Sequence, residues 1–366
     1  MKKAIVHLPF KIITSYASGS QIRPQRMIQA LKSCGVEVDV IEGYGKQRKA
    51  QIRAIKQKVK EGVKYDFVYS ESYNMPLLLS EKSHIPKYPL LEINFFRFCR
   101  KNKIKIGLFY RDIHWNFPHY RQNFGYWKYL FTYGFYVFDL LVYKRFVDVV
   151  YLPTLAMKKY LPIHIKAQFA ALPPGHEGAS SINKADEGRS PDGLHVLYVG
   201  GLGHLYQLDE LMTAVEASPQ VKLTICCREG EWKATHSRYQ KWMNDRVRVV
   251  HKSGEDLEEL YEWADVASVF VKPTSYWEIV MPLKLFEYIR FGKPILAIEN
   301  TAVGNFVSKN KAGWALPYDS ETLKTLFSDL VTNRSLLENT KTQIHQLQPL
   351  HTWKSRAEQV IADLAK

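Results

Sequence analysis

The chain has 366 residues, 46% of them apolar and 24% charged, a length that suits two ordinary domains with separate cores and a composition that excludes a disordered or fibrous protein. No apolar run reaches the roughly 20 residues of a bilayer-spanning helix, the stretch after Lys2 and Lys3 is too short for a signal peptide, and Cys34, Cys99, Cys226 and Cys227 lack metal-ligand spacing, so a cytoplasmic protein without a disulfide framework is expected. The formal net charge of +15 points to a negatively charged partner: nucleic acid, an anionic membrane or a phosphorylated substrate.

Short β-branched or apolar runs alternate with helical patterns along the whole chain, the pattern of parallel sheets covered by helices on both faces. In the first half the predicted strands are Ala4 to Leu8, Val36 to Ile41, Phe67 to Ser70, Ile104 to Tyr110, Val149 to Leu152 and Phe169 to Leu172. Met27, Ala30, Leu31 and Cys34 recur at helical spacing between the first two, and Gly35 stops that helix. The loop before it, Ala17 to Arg26, offers Gly19 for close approach to a ligand and Arg23 and Arg26 for charge, or else it is a plain turn with a helix opened by Pro24. From Lys46 to Lys64, eight cations (Lys46, Arg48, Lys49, Arg53, Lys56, Lys58, Lys60, Lys64) face one acid, Glu61, while Ile52, Ile55 and Val59 share one side, giving a basic amphipathic helix. Arg97, Arg100, Lys101, Lys103 and Lys105 form a second basic cluster, and Tyr126 to Tyr143 is crowded with rings and leucines. Cations and rings together suit an anionic membrane surface; a solvated helix beside an aromatic core helix gives the same pattern. The strand ending at Tyr110 runs into Arg111, Asp112 and His114, and an Asp with a His two residues on can accept a proton or orient a ligand hydroxyl. Alternatively Asp112 caps a turn and pairs with Arg111.

The polar, breaker-rich stretch 183–193 reads as a linker, so the expected domains are 1–182 and 194–350, followed by a helical segment, 351–366, packing back on the first domain through Trp353, Ala357, Val360, Ile361 and Leu364. Strands restart at Val196 to Val199, Val221 to Cys226, Val247 to Val250, Val266 to Val271 and Ile295 to Ile298, with helices such as Leu208 to Ala217 and Leu283 to Phe291 between them. The first of these strands enters the turn Gly200-Gly201-Leu202-Gly203, where glycines let a backbone approach a phosphate. Further on, Pro282 opens a helix carrying Lys284 and Glu287 on one face, ended by Gly292-Lys293-Pro294. An anion is favoured at such a helix start, Lys284 adds charge, and Glu287 can accept from the two hydroxyls of a ribose; a surface ion pair on an amphipathic helix has the same spacing.

The stretch Pro282-Leu283-Lys284-Leu285-Phe286-Glu287-Tyr288, followed by Gly292-Lys293-Pro294, resembles the signature of retaining GT-B glycosyltransferases related to family 4. The resemblance implies an α/β chain of two tandem Rossmann-like, doubly wound domains (GT-B) facing across a cleft, the second holding a nucleotide-sugar donor and the first an acceptor. It implies that Glu287 binds the ribose and Lys284 approaches the diphosphate and serves catalysis. The family's first Glu falls on Ile279 here, one residue from Glu278, which is carried as a donor-sugar contact. Gly201 and Tyr206 stand where the family has Arg and Lys, so with Gly200 and Gly201 as backbone contacts the charge at the diphosphate falls to Lys284, Lys272 and Arg228. By position, the Gly19 loop resembles the one that approaches the donor phosphates, Arg23, Arg26 and Arg111 become acceptor contacts, and Asp112 and His114 catalytic groups. The expected reaction moves a sugar from a UDP-sugar to a lipid-linked or cell-surface polysaccharide intermediate with retention. It needs no cofactor beyond that co-substrate and no metal, since the sequence has no Asp-x-Asp pair. The protein is expected in the cytoplasm, peripheral on the inner leaflet of the membrane. A nucleotide-sugar epimerase of the same fold remains open, as does a basic nucleic-acid-binding protein, although no recognisable nucleic-acid module is present.

Overall fold

The computed structural model describes residues 1–13, 19–118, 120–121, 125–180 and 193–365. It divides into two compact units: Met1–Gly175 with Trp353–Lys366, and His176–Thr352. Apart from Gly193, the expected linker 183–193 lies outside the described residues. The first unit ends at Gly175, before the expected 182, because the next segment is held by the second unit: the His176 amide donates to the His351 carbonyl at 3.0 Å and the Ser180 amide to that of Arg290 at 3.2 Å.

Unit 1 is built in chain order from β1 (Lys2–His7), α1 (Gly19–Ser33), β2 (Val36–Ile41), α2 (Gly45–Lys60), β3 (Phe67–Glu71), α3 (Leu91–Lys101), β4 (Lys105–Phe109), α4 (Tyr126–Phe146), β5 (Val149–Leu152) and β6 (Gln168–Ala171). The strands form one parallel sheet in the order β2-β1-β3-β4-β5-β6. Its central strands read as continuous apolar runs because helices bury both faces; β3 and β5 are buried along their whole length. Gly35 ends α1 at φ +76°, a left-handed conformation that costs glycine little.

Unit 2 contains β7 (Leu194–Val199), α5 (Asp209–Glu216), β8 (Val221–Cys226), α6 (Glu229–Tyr239), β9 (Val247–Val250), α7 (Glu258–Trp263), β10 (Val266–Ser268), α8 (Leu283–Arg290), β11 (Ile295–Ile298), α9 (Ala302–Asn310), β12 (Gly313–Leu316), α10 (Ser320–Thr332) and α11 (Ser335–Leu347). Its sheet is also parallel, in the order β12-β11-β10-β7-β8-β9. Counted from β7, this is the doubly wound order whose direction reverses between the first and fourth strands, here β7 and β10, and ligands of such sheets bind outside the carboxyl ends at that reversal. β12 is an addition to the strands read from sequence.

The last helix, α12 (Trp353–Leu364), belongs to unit 1. Arg356 donates to the Pro173 and Pro174 carbonyls at 3.1 and 3.2 Å, Gln359 donates to that of Ala171 at 3.0 Å, and Leu364 lies over Gly107 of β4. A Cβ at Gly107 would fall 2.5 Å from Leu364 Cδ1 and 2.9 Å from the Tyr151 ring, so the glycine is what lets α12 reach the sheet.

Candidate functional site

In unit 2 the residues singled out from sequence gather at the carboxyl edge of the sheet, around the reversal point. α8 follows β10 and starts at Leu283, with Pro282 as its extended N-cap and no side chain bonding its first amides. Lys284 and Glu287, both about one-third exposed, pair at 2.6 Å, and the same Glu287 oxygen accepts the Tyr261 hydroxyl at 2.9 Å. Tyr261 comes from α7, is buried, and stacks on Phe291 with ring centroids 4.2 Å apart. Burial and the neighbouring Glu287 charge push its hydroxyl well above the usual tyrosine range, so it stays a donor. Tyr288 points the other way: its hydroxyl accepts the Val199 amide at 3.0 Å and lies 3.3 Å from the Ser268 carbonyl, fixing α8 to the ends of β7 and β10 together. The carboxylate is thus presented by one residue and the helix anchored by the next.

The glycine turn after β7 is shaped by its surroundings. The Gly200 amide donates to Cys226 O at 3.0 Å, and the Tyr198 hydroxyl donates to Gly201 O at 2.6 Å. The Leu202 amide donates at 3.1 Å to Glu231, whose other oxygen pairs with Arg228 at 2.7 Å. Arg228 is mostly exposed on the α6 side of the turn, and Lys272 is exposed after β10, its amide bonded to Gln207 O at 2.9 Å. Glu278 sits half-buried in the turn Ser275–Glu278 that precedes α8. Cys226 and Cys227 end β8 as buried thiols; burial raises both, Cys227 to about 12, while Lys284 pulls Cys226 in the opposite direction.

In unit 1 the candidates lie at the carboxyl ends of β1, β3 and β4. Gly19 is exposed as the first residue of α1, which starts ahead of Pro24 rather than at it. Arg23 is buried, its guanidinium 3.5 Å from the centre of the Phe109 ring, 3.4 Å from Glu71 and donating to Leu172 O at 3.1 Å. Arg111 donates to the other Glu71 oxygen at 2.8 Å and to Ser20 O at 2.7 Å. Glu71 is fully buried and also accepts the Tyr69 hydroxyl at 2.8 Å, so two guanidiniums share one carboxylate inside the unit. Arg23 and Arg111, expected to meet an acceptor, are therefore bound into this buried cluster, whereas Arg26 lies on the surface within 3.2 Å of Gln29. Asp112 accepts the backbone amides of Ile113 and His114 at 2.6 and 3.0 Å, and its second oxygen is 3.4 Å from His114 Nδ1. The His114 ring packs edge-on against Tyr120 and Tyr136. Asp112 thus both caps the turn and orients the imidazole, and its side-chain partner is His114 rather than Arg111. Among the described residues no group of three His, Cys, Asp or Glu side chains is arranged to hold a metal ion.

Three of these features carried no sequence signal: Tyr261 under Glu287, Glu231 at the glycine turn, and Glu71 between the two arginines. Each meets its partner only through tertiary packing.

Two parallel, doubly wound units with this arrangement define a GT-B fold, and comparison with known proteins agrees. Residues 180–346 match the family model described as glycosyl transferases group 1. Across its length the chain superposes on HepE from Anabaena, solved in complex with UDP, at a TM-score of 0.66 and 13% identity, covering 100% of both chains. It superposes on sucrose-phosphate synthase from Thermosynechococcus elongatus at 0.65 and 17% identity, covering 98% of this chain and 97% of that one. A glycosyltransferase from Rickettsia africae gives 0.66 and 12% identity over 99% and 98%. No curated protein matches. Unit 2 carries a glycosyltransferase group 1 domain, and the enzyme class is glycosyltransferase.

Proposed function

We propose that this enzyme transfers a sugar from a UDP-sugar to an acceptor hydroxyl, with retention of configuration and without a metal cofactor. The observation that carries the proposal is the Glu287 carboxylate, held by Tyr261 and Lys284 beside the reversal point of the unit 2 sheet. A carboxylate so placed can accept from both ribose hydroxyls, as the family 4 resemblance implies. The uncapped start of α8 then faces the diphosphate, a position that favours an anion by roughly 0.3–2 kcal/mol. Lys284 turns from Glu287 to the departing diphosphate and stabilises its charge, with Lys272 and Arg228 as further cations and the Gly200-Gly201 backbone as close contact. Glu278 contacts the donor sugar, and Gly19 approaches the phosphates. On unit 1, Asp112 and His114 orient the acceptor hydroxyl, and Arg26 meets the acceptor's negative charge; Arg23 and Arg111 act by holding the start of α1. The choice of uridine is supported by the UDP bound to HepE. The acceptor is a lipid-linked or cell-surface polysaccharide intermediate met at the inner leaflet of the membrane.

Calorimetric titration with UDP, followed by incubation with UDP-sugars and product analysis, tests the reading. Glu287→Ala is expected to weaken UDP binding about 10- to 100-fold, the loss of a charge-assisted bond. Lys284→Ala is expected to lower turnover about 100-fold or more. Unchanged UDP affinity in the Glu287 variant removes the proposal. The epimerase reading has weaker support, the solved structures titled MnaA and UDP-N-acetylglucosamine 2-epimerase superposing at 0.50 each; it predicts an isomerised UDP-sugar formed without any acceptor.

A further inference from the structure

Helix α4 is apolar nearly all round, yet only one side of it is packed. Tyr136, Asp139, Leu140 and Tyr143 face inward and are buried. At positions one, two and four turns from Trp127, the opposite side shows Leu130, Phe131 and Leu141 to solvent: Trp127 is 81% exposed, Phe131 61%, Leu141 50% and Leu130 41%. Helices of that composition belong in a core or a membrane, and contiguous exposed apolar stripes mark interaction sites. The charges on α4 sort with the same geometry. Its one acid, Asp139, is buried, whereas Lys128, Lys144 and Arg145 are exposed. The neighbouring α3 adds Arg97 and Lys101 on its own exposed side.

We propose that the outer stripe of α4 lies in the surface of an anionic lipid bilayer, parallel to the membrane plane. Trp127, Leu130, Phe131 and Leu141 enter the boundary between headgroups and acyl chains, and the flanking cations meet lipid phosphates, the arrangement that holds interfacial helices in place. Among the described residues no helix is long and apolar enough to cross a membrane, so α4 lies on the bilayer rather than through it. Charge selects this occupant over a second copy of the chain: a two-fold contact through α4 would set its cations against themselves. The placement also brings to the lipid surface a cavity of about 480 Å³ at the amino-terminal end of α4, walled by Tyr126, Tyr129, Phe117 and Arg121. This deepens the acceptor reading above and rests on it only for the identity of the acceptor; lipid binding stands on α4 alone.

The test is co-sedimentation of the full chain, without donor, with vesicles of phosphatidylcholine alone or mixed with phosphatidylglycerol. The expected result is binding to the mixed vesicles that weakens with salt and is reduced at least about tenfold in Trp127→Glu/Phe131→Glu. Both side chains are exposed, so the variant should keep its circular dichroism and its thermal shift with UDP; retention of that shift separates failure at the membrane from failure of the donor reading. Lys144→Glu/Arg145→Glu leaves the stripe intact and should lose the preference for anionic lipid. Equal sedimentation with both vesicle types, or binding undiminished in the Trp127/Phe131 variant, overturns the proposal. So does a wild-type dimer in light scattering that this variant abolishes while vesicles bind neither protein.

Discussion

Arg111 donates a hydrogen bond of 2.7 Å to the Ser20 carbonyl, the oxygen from which Pro24, four residues on and lacking an N–H, withholds the helical donor. The proline inside α1 and the arginine after β4 are two halves of one arrangement, completed by Glu71, which neutralises the guanidinium. Arg111→Met should therefore lower the stability of unit 1 by about 3–5 kcal/mol, since it also deprives a fully buried carboxylate of a partner. Denaturant unfolding followed by circular dichroism measures the loss, and a change below about 1 kcal/mol would contradict the assigned role.

Tyr288→Phe leaves the buried Val199 amide without its acceptor. A cost of about 1–3 kcal/mol is expected, together with faster hydrogen exchange at Val199, because the bond that joins α8 to β7 is gone. Protection equal to wild type would show that another group accepts this hydrogen.

Tyr261→Phe is a milder change at the proposed ribose carboxylate. The ring still stacks on Phe291, and only the bond to Glu287 disappears. UDP affinity should fall about 3- to 10-fold while stability shifts by about 1 kcal/mol or less. Titration calorimetry beside a thermal melt distinguishes this from general loosening of α7.

Burial, and then the charge of Arg48, hold His7 neutral, its titration lowered to about 3. Because the unfolded chain binds this proton near pH 6.5 and the folded one does not, the contribution is fully present above that pH. It is lost as pH falls from 6.5 towards 3, by about 1.4 kcal/mol per unit. His7→Asn, which can keep the contact with Ser70, should flatten the acid limb of a stability-against-pH curve; an unchanged slope between pH 6.5 and 4.5 would refute it.

Gly107→Ala forces Leu364 and Tyr151 to move, given a Cβ placed 2.5 Å from the leucine. Overpacking of this kind costs about 1–3 kcal/mol. Pairing it with Leu364→Ala should recover part of the loss if the clash is with α12.

Most of the scaffold was legible because central parallel strands are buried on both faces and write themselves as apolar runs. β12 was not: Gly313-Trp314-Ala315-Leu316 is short, half-buried along its length and lies at the sheet edge, so it carries no such run. At the candidate donor site, Lys284 and Glu287 were visible because their spacing is local to one helix. Tyr261 was not, since nothing in Glu-Glu-Leu-Tyr-Glu-Trp distinguishes a tyrosine that will reach another helix. Arg23 was read as exposed because its neighbours are polar, and its burial depends on Glu71, a counter-charge on a different strand. Helix α4 read equally as core or interface, and only the packing of one side separates the two.

The backbone enters and leaves unit 2 at adjacent points: His176 and Thr352 are bridged in parallel, and the His176 amide is bonded to His351. Unit 2 is thus an insertion within unit 1, whose sheet is covered only when α12 arrives. During synthesis the inserted unit has all its sequence outside the ribosome first, while the unit begun earliest is the last to close. Until then Gly107 and its neighbours on β4 stand open to water.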